Sequence, residues 1–168
     1  MAKKGVFFQH VGLSVTDLKL AINFYKNVFG LKELVMPNKS YCSEEMNKKR
    51  REDIFGNKMK EVKIANLVTD DGIGIELLEF KKPKAVLRKN NFEYWKSGIF
   101  HICFNVENLE RTIEKIKSNK GKIITTKVWE LFPECKLAYC QDPFGNVFEI
   151  LNCSYAEQVA QEMNHVSS

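Results

Sequence analysis

Two constant offsets relate one half of this chain to the other, and they restrict the fold more than any other feature. An offset of 91 sets Gln9-His10-Val11-Gly12-Leu13-Ser14-Val15 against Phe100-His101-Ile102-Cys103-Phe104-Asn105-Val106, and it continues without a gap through Leu18/Leu109, Ile22/Ile113 and Gly30/Gly121. An offset of 73 sets Gly72-Ile73-Gly74-Ile75-Glu76-Leu77 against Gly145-Asn146-Val147-Phe148-Glu149-Ile150. Internal similarity of this kind reports two copies of one supersecondary unit.

The unit can be read from periodicity. Val6 to Val15 alternates as a strand, and Thr16 and Asp17 then start a helix whose stripe Leu18, Ala21, Ile22, Tyr25, Val28 and Phe29 stops at Gly30. Lys32 to Met36 is a short strand ended by Pro37, and Glu61 to Thr69 and Ile73 to Phe80 form a hairpin around Asp70-Asp71-Gly72. Between them, 38–60 is a polar insertion with a helix expected over Glu44 to Ile54, closed by Gly56; it is either loose or a lid. The pattern restarts with a strand over Ile99 to Val106, a helix from Asn108 to Gly121, and strands over Ile123 to Val128, Lys136 to Cys140 and Val147 to Leu151. The fold class is therefore α+β, two βαβββ modules. Module 1 covers 6–80, a connector 81–98 and module 2 99–152, making one domain over 6–152 followed by a polar tail at 153–168 with a helical turn or two.

Parity places the polar residues of the repeat. His10 lies opposite Val11, Leu13 and Val15, His101 opposite Ile102, Phe104 and Val106, and Glu76 and Glu149 opposite their apolar neighbours. A lone carboxylate in an apolar strand is costly unless a cation or donors meet it. A solitary strand histidine is more often structural, but duplicated carboxylates on strands carry no packing advantage. If the two curved sheets meet around a pseudo-twofold axis, His10, Glu76, His101 and Glu149 converge as a mixed nitrogen and oxygen site for one divalent ion, Zn, Ni, Co, Mn or Fe(II). The competing reading is that the His and Glu side chains merely pair with each other. Glu79 falls on the other side of its strand from Glu76 and is expected to take no part.

Composition excludes other classes. The 168 residues are 44% apolar, with net charge +5, which suits an anionic small ligand better than nucleic acid. Lys48-Lys49-Arg50-Arg51 is the only dense basic run, interrupted by Glu52 and Asp53, and reads as a solvated helix face. No apolar run reaches membrane-spanning length. Five cysteines without CxxC spacing, with no signal peptide before them, predict reduced thiols and a cytoplasmic location.

His10-Val11-Gly12-Leu13-Ser14-Val15, Phe24-Tyr25, Phe29-Gly30-Leu31, Ile75-Glu76-Leu77-Leu78-Glu79, the strand at His101 and Asp142-Pro143-Phe144-Gly145-Asn146 together resemble the vicinal oxygen chelate superfamily. That superfamily includes glyoxalase I, methylmalonyl-CoA epimerase, fosfomycin-resistance proteins and extradiol dioxygenases. The resemblance implies an open, metal-centred barrel of paired modules, and the His, Glu, His, Glu complement is similar to bacterial-type glyoxalase I. It implies a divalent-metal-dependent isomerase, lyase or epimerase acting on a small α-oxygenated carbonyl compound through a metal-stabilised enediolate. Glu149 is the implied base, with Glu76 as the alternative or second base. Homodimers are common among relatives. The segment after Glu76, Leu77-Leu78-Glu79-Phe80, departs from the Thr and Asn that hold glutathione in lactoylglutathione lyases. The alternatives are a binding or resistance protein that sequesters a small molecule without turnover, and a metal-dependent dioxygenase or thiol transferase.

Overall fold

A computed structural model describes residues 5–35 and 44–166. Its strands form two sheets belonging to two compact units, one made of residues 5–26, 30–35 and 44–87 and the other of 27–29 and 88–166.

In the first unit, β1 (His10–Ser14) leads through α1 (Leu18–Phe29) to β2 (Lys32–Leu34), then α2 (Glu44–Phe55), β3 (Glu61–Val68) and β4 (Gly74–Lys82). The sheet order is β1-β4-β3-β2, with β1 parallel to β4 and the other pairs antiparallel. Asp17 caps α1 by accepting the Leu20 N–H at 3.0 Å, and Gly30 ends it at φ +72, where a side chain would be strained. Ala21, Phe24, Tyr25 and Val28 of α1 are buried. Each large apolar side chain so removed from water contributes about 2 kcal/mol.

Strand parity then separates two faces of β4. Ile75, Leu77 and Glu79 share one face, while Glu76, Leu78 and Phe80 share the other and pair across β3 with Asn66, Ile64 and Val62. The inserted helix α2 lies over this second face, where Phe55 meets Phe80 edge to face at 5.4 Å.

In the second unit the order is β5 (Ile102–Asn105), α3 (Leu109–Ser118), β6 (Lys122–Ile123), β7 (Trp129–Phe132), β8 (Cys135–Gln141), β9 (Val147–Leu151) and α4 (Tyr155–Val166). Sheet order β5-β9-β8-β6 repeats that of the first unit, with β5 parallel to β9 and β7 added on β8. The repeat holds at the level of register. Gly12 and Asn66 flank Glu76 on either side, and Cys103 and Tyr139 flank Glu149 in the same way.

Several expectations require correction. The first strand is shorter than 6–15, beginning at His10. The strand expected over 123–128 stops at Ile123, because the Ile124 and Thr125 N–H groups both turn to the Tyr139 carbonyl; the second module therefore has an extra strand, β7. α3 ends at Ser118 and is capped by Asn119 rather than Gly121, with Lys120 in the left-handed region and the Gly121 N–H returning to the Ile116 carbonyl at 2.9 Å. The polar tail is a twelve-residue helix. Its signal was Ser154-x-x-Glu157, a reciprocal capping box in which the Ser154 N–H donates to Glu157 and the Glu157 N–H donates to Ser154 Oγ.

The expectation that all cysteines are reduced is also overturned, because Cys135 and Cys153 form a disulfide. Leu137 faces Leu151 in the β8–β9 ladder, so continuing the register two residues brings 135 opposite 153, with Cα atoms 5.6 Å apart. Eighteen residues of sequence separation conceal that adjacency. Cys103 and Cys140 are free thiols. The strand end at Met36 and the stop at Pro37 lie outside the described residues. Among the described residues, no helix is long and apolar enough to cross a membrane.

Candidate functional site

In the second unit the candidate residues are His101 and Glu149. Glu149 is preceded by the turn that begins at Asp142, which is only 2% exposed. Asp142 Oδ1 accepts the N–H groups of Phe144 at 2.8 Å and Asn146 at 2.9 Å, and Oδ2 accepts Asn146 Nδ2 at 2.8 Å. Gly145 sits at φ +84, with Asn91 Nδ2 only 3.1 Å from where a Cβ would stand. A turn tied at this many points fixes the direction in which Val147 leaves it, and Glu149 follows two residues later on the same face.

Glu149 is 8% exposed. Its Oε2 stands 3.5 Å from His101 Nε2, beyond the usual length of a good hydrogen bond. Burial raises its carboxyl above the ordinary value, opposed by the neighbouring His101 and by the Cys103 thiol, which donates to it. Cys103 as a residue reaches solvent, yet its thiol is pushed up to about 12, first by burial and then by the Glu149 charge. Tyr139, directly across from Glu149, has its hydroxyl raised by burial and then by the same two groups. Its ring meets His101 edge to face at 5.2 Å, and Phe100 stacks on it at 5.9 Å.

In the first unit His10 and Glu76 lie on one face of the β1–β4 pair, since His10 is in register with Gly74 and Gly12 with Glu76. A Cβ at Gly74 would stand 2.9 Å from that of His10, so glycine there is what admits the imidazole. His10 Nδ1 contacts Gln9 Oε1 at 2.6 Å. Glu76 makes no hydrogen bond or ion pair among the described residues and lines a cavity of about 550 Å³ beneath α2. Glu79 is on the opposite face, buried against Lys81.

The structure therefore brings together His101 with Glu149, and His10 with Glu76 on one face of its own sheet. Within each unit, among the described residues, no set of three or more His, Cys, Asp or Glu side chains gathers as metal ligands. The donor chemistry nevertheless fits a divalent ion. Bonds of about 2.0–2.2 Å at a tetrahedral angle separate two donors by about 3.4 Å, close to the 3.5 Å between His101 Nε2 and Glu149 Oε2. Among the described residues, His101 Nδ1 is buried without a hydrogen-bond partner.

Sequence reasoning passed over Cys103 and Tyr139. Both were findable, because the offset of 91 makes Cys103 the counterpart of Gly12 and the offset of 73 makes Tyr139 the counterpart of Asn66, each beside its module's glutamate.

Comparison with known proteins bears on what this arrangement is. A glyoxalase family protein from Bacillus cereus shares the fold with a TM-score of 0.71 and 21% identity, covering 90% of this chain and 97% of that one. The fosfomycin resistance protein FosX from Listeria monocytogenes, solved with Mn(II) and sulfate, is similar with a TM-score of 0.57 and 17% identity, covering 94% and 99%. A V278E mutant of glyoxalase I from Zea mays gives 0.59 and 20% identity over 88% of this chain and 44% of that one. No curated protein sequence matches significantly. The profile of the Glyoxalase/Bleomycin resistance protein/Dioxygenase superfamily matches residues 7–150. With that match over most of the chain, and with paired sheets that repeat each other down to the neighbours of each glutamate, the chain belongs to this superfamily.

Proposed function

We propose that this chain is a divalent-metal-dependent isomerase, lyase or epimerase for a small α-oxygenated carbonyl compound. His10, Glu76, His101 and Glu149 would hold one ion, Zn, Ni, Co, Mn or Fe. A bound ion of that kind supplies Lewis acidity to a carbonyl oxygen, which acidifies the neighbouring C–H. The observation that carries the proposal is Glu149, a buried carboxylate with raised proton affinity held 3.5 Å from His101.

Glu149 acts as the base. A carboxylate with an upward-shifted pKa is a better proton acceptor than an exposed one. The Cys103 thiol donates to the charged form and steadies it. Phe100 and Tyr139 pack edge to face against His101 and hold its ring beside Glu149. Delivery of the abstracted proton to the adjacent carbon isomerises the substrate. Glu76, as a second carboxylate, would return it to the opposite face in an epimerisation.

The test is proton exchange. Small α-hydroxy and α-keto carbonyl compounds are incubated with metal-loaded protein in deuterated water and followed by NMR. Deuterium should enter next to the carbonyl with the native chain and not with Glu149→Gln. Binding with no exchange for any substrate would favour the alternative, a protein that sequesters a small molecule.

A further inference from the structure

All four residues of the basic run of α2 are exposed, and two of them, Arg50 and Arg51, also line a cavity. Asn47, Arg50, Arg51, Ile54 and Phe55 recur at the spacing of one helical stripe, and all five line the cavity of about 550 Å³ whose sheet side carries Glu76 and Leu78. Phe55 is anchored on Phe80. The stripe thus changes character along the helix, polar and cationic at Asn47 to Arg51, apolar at Ile54 and Phe55.

Among the described residues, the charges facing this cavity have no ion-pair partner. Lys49, off the stripe, pairs with Glu45 at 2.9 Å. Among the described residues, Arg50 hydrogen-bonds the neutral Asn47, at 2.8 Å, and has no ion pair. Arg51 has no hydrogen bond or ion pair among the described residues, and neither arginine pairs with Glu76 although all three line one cavity. Between them lies apolar surface from Ile54, Ile64 and Leu78, of which Ile54 and Ile64 are exposed. Apolar surface set between charged walls in a concave site suits a ligand with both an apolar and an ionic part.

We infer that this cavity binds the substrate by an anionic tail, a carboxylate or phosphoryl group held by Arg50 and Arg51. A short apolar segment of the same molecule covers Ile54, Ile64 and Leu78, and its oxygenated carbonyl end is directed to Glu76. The planar guanidinium forks match either oxyanion, and the opposite charges at the two walls orient the molecule. This assignment rests on the proposed reaction only for which end reacts; recognition of the anion stands apart from it.

The experiment uses full-length protein with chelator present, so that no ion can hold the probe. Phenylphosphonate, phenylacetate and neutral benzyl alcohol are titrated by ligand-observed NMR against the native chain, Arg50→Ala/Arg51→Ala, Arg50→Lys/Arg51→Lys and Glu149→Gln. At least one anion should bind, more weakly as salt is raised, and benzyl alcohol should bind far less. Which anion binds more tightly distinguishes a phosphoryl from a carboxylate tail. Loss of each arginine should weaken binding about tenfold, so about a hundredfold in the double alanine variant. The double lysine variant keeps the charge but loses the paired fork contacts, so it should bind more tightly than the double alanine variant and more weakly than the native chain, and Glu149→Gln should keep all of the affinity. Equal binding to the double alanine variant, equal binding of the neutral probe, or no binding of either anion would overturn the inference. Anion binding that behaves as expected, in a protein that exchanges no substrate proton, would sink the proposed reaction and leave this assignment standing.

Discussion

Replacing Asp142 by Ala tests the idea that a buried turn, remote from the reacting groups, positions Glu149. The carboxylate accepts two backbone N–H groups and one side-chain amide at 2.8–2.9 Å, in a residue 2% exposed. Hydrogen bonds to a charged group contribute about 1.5–3 kcal/mol each, but the three share one acceptor and removal also relieves the cost of burying the carboxylate, so about 3–4 kcal/mol is the expected net loss. For a chain of this length that lowers Tm by about 6–16 °C. Asp142→Asn retains an acceptor for both backbone groups and faces the Asn146 amide with a second donor, so it should lose about 1 kcal/mol. The assay is urea unfolding followed by circular dichroism for all three proteins. A loss below about 1 kcal/mol in the alanine variant would show that the turn holds without its central acceptor and that Asp142 does not position Glu149.

Reduction of the Cys135–Cys153 bond, or Cys153→Ser, opens a loop with an 18-residue separation and should cost about 3 kcal/mol; a Tm indifferent to reductant would contradict it. In metal-free protein Glu149→Gln should be more stable than the native chain above the raised carboxyl pKa. Because the folded state binds the Glu149 proton more tightly than the unfolded chain, the penalty is absent below the ordinary value of 4.5 and grows as pH rises through the folded pKa. A stability difference that stays constant across that window would disprove the shift. Glu79→Gln should cost about 1–2 kcal/mol by breaking the Lys81 pair, discounted because Lys81 is partly exposed, yet leave metal stoichiometry unchanged. Metal loss there would mean that the face assignment of β4 is wrong.

The legible part of this chain is what periodicity carries. Asp17 and Gly30 bounded α1 because capping depends on a single side chain or a single φ, and both can be read locally. Parity separated Glu76 from Glu79, and the ladder bears out that separation. What escaped depends on who pairs with whom. The Cys135–Cys153 bond follows from the β8–β9 register, and only the packing of α2 on its sheet, with Phe55 against Phe80, brings Arg50, Arg51 and Glu76 to one cavity. The basic run alone reads as an ordinary solvated face. Cys103 and Tyr139 were within reach, since the offsets that align the glutamates also align their neighbours.

The most direct test of the central claim is elemental analysis of protein purified without chelator or metal-affinity resin, with His101→Ala beside it. The account predicts about one divalent ion per chain, lost in the variant while its circular dichroism is retained. Protein that carries no such ion, and takes up none on addition of Ni, Co, Zn, Mn or Fe(II), would contradict it.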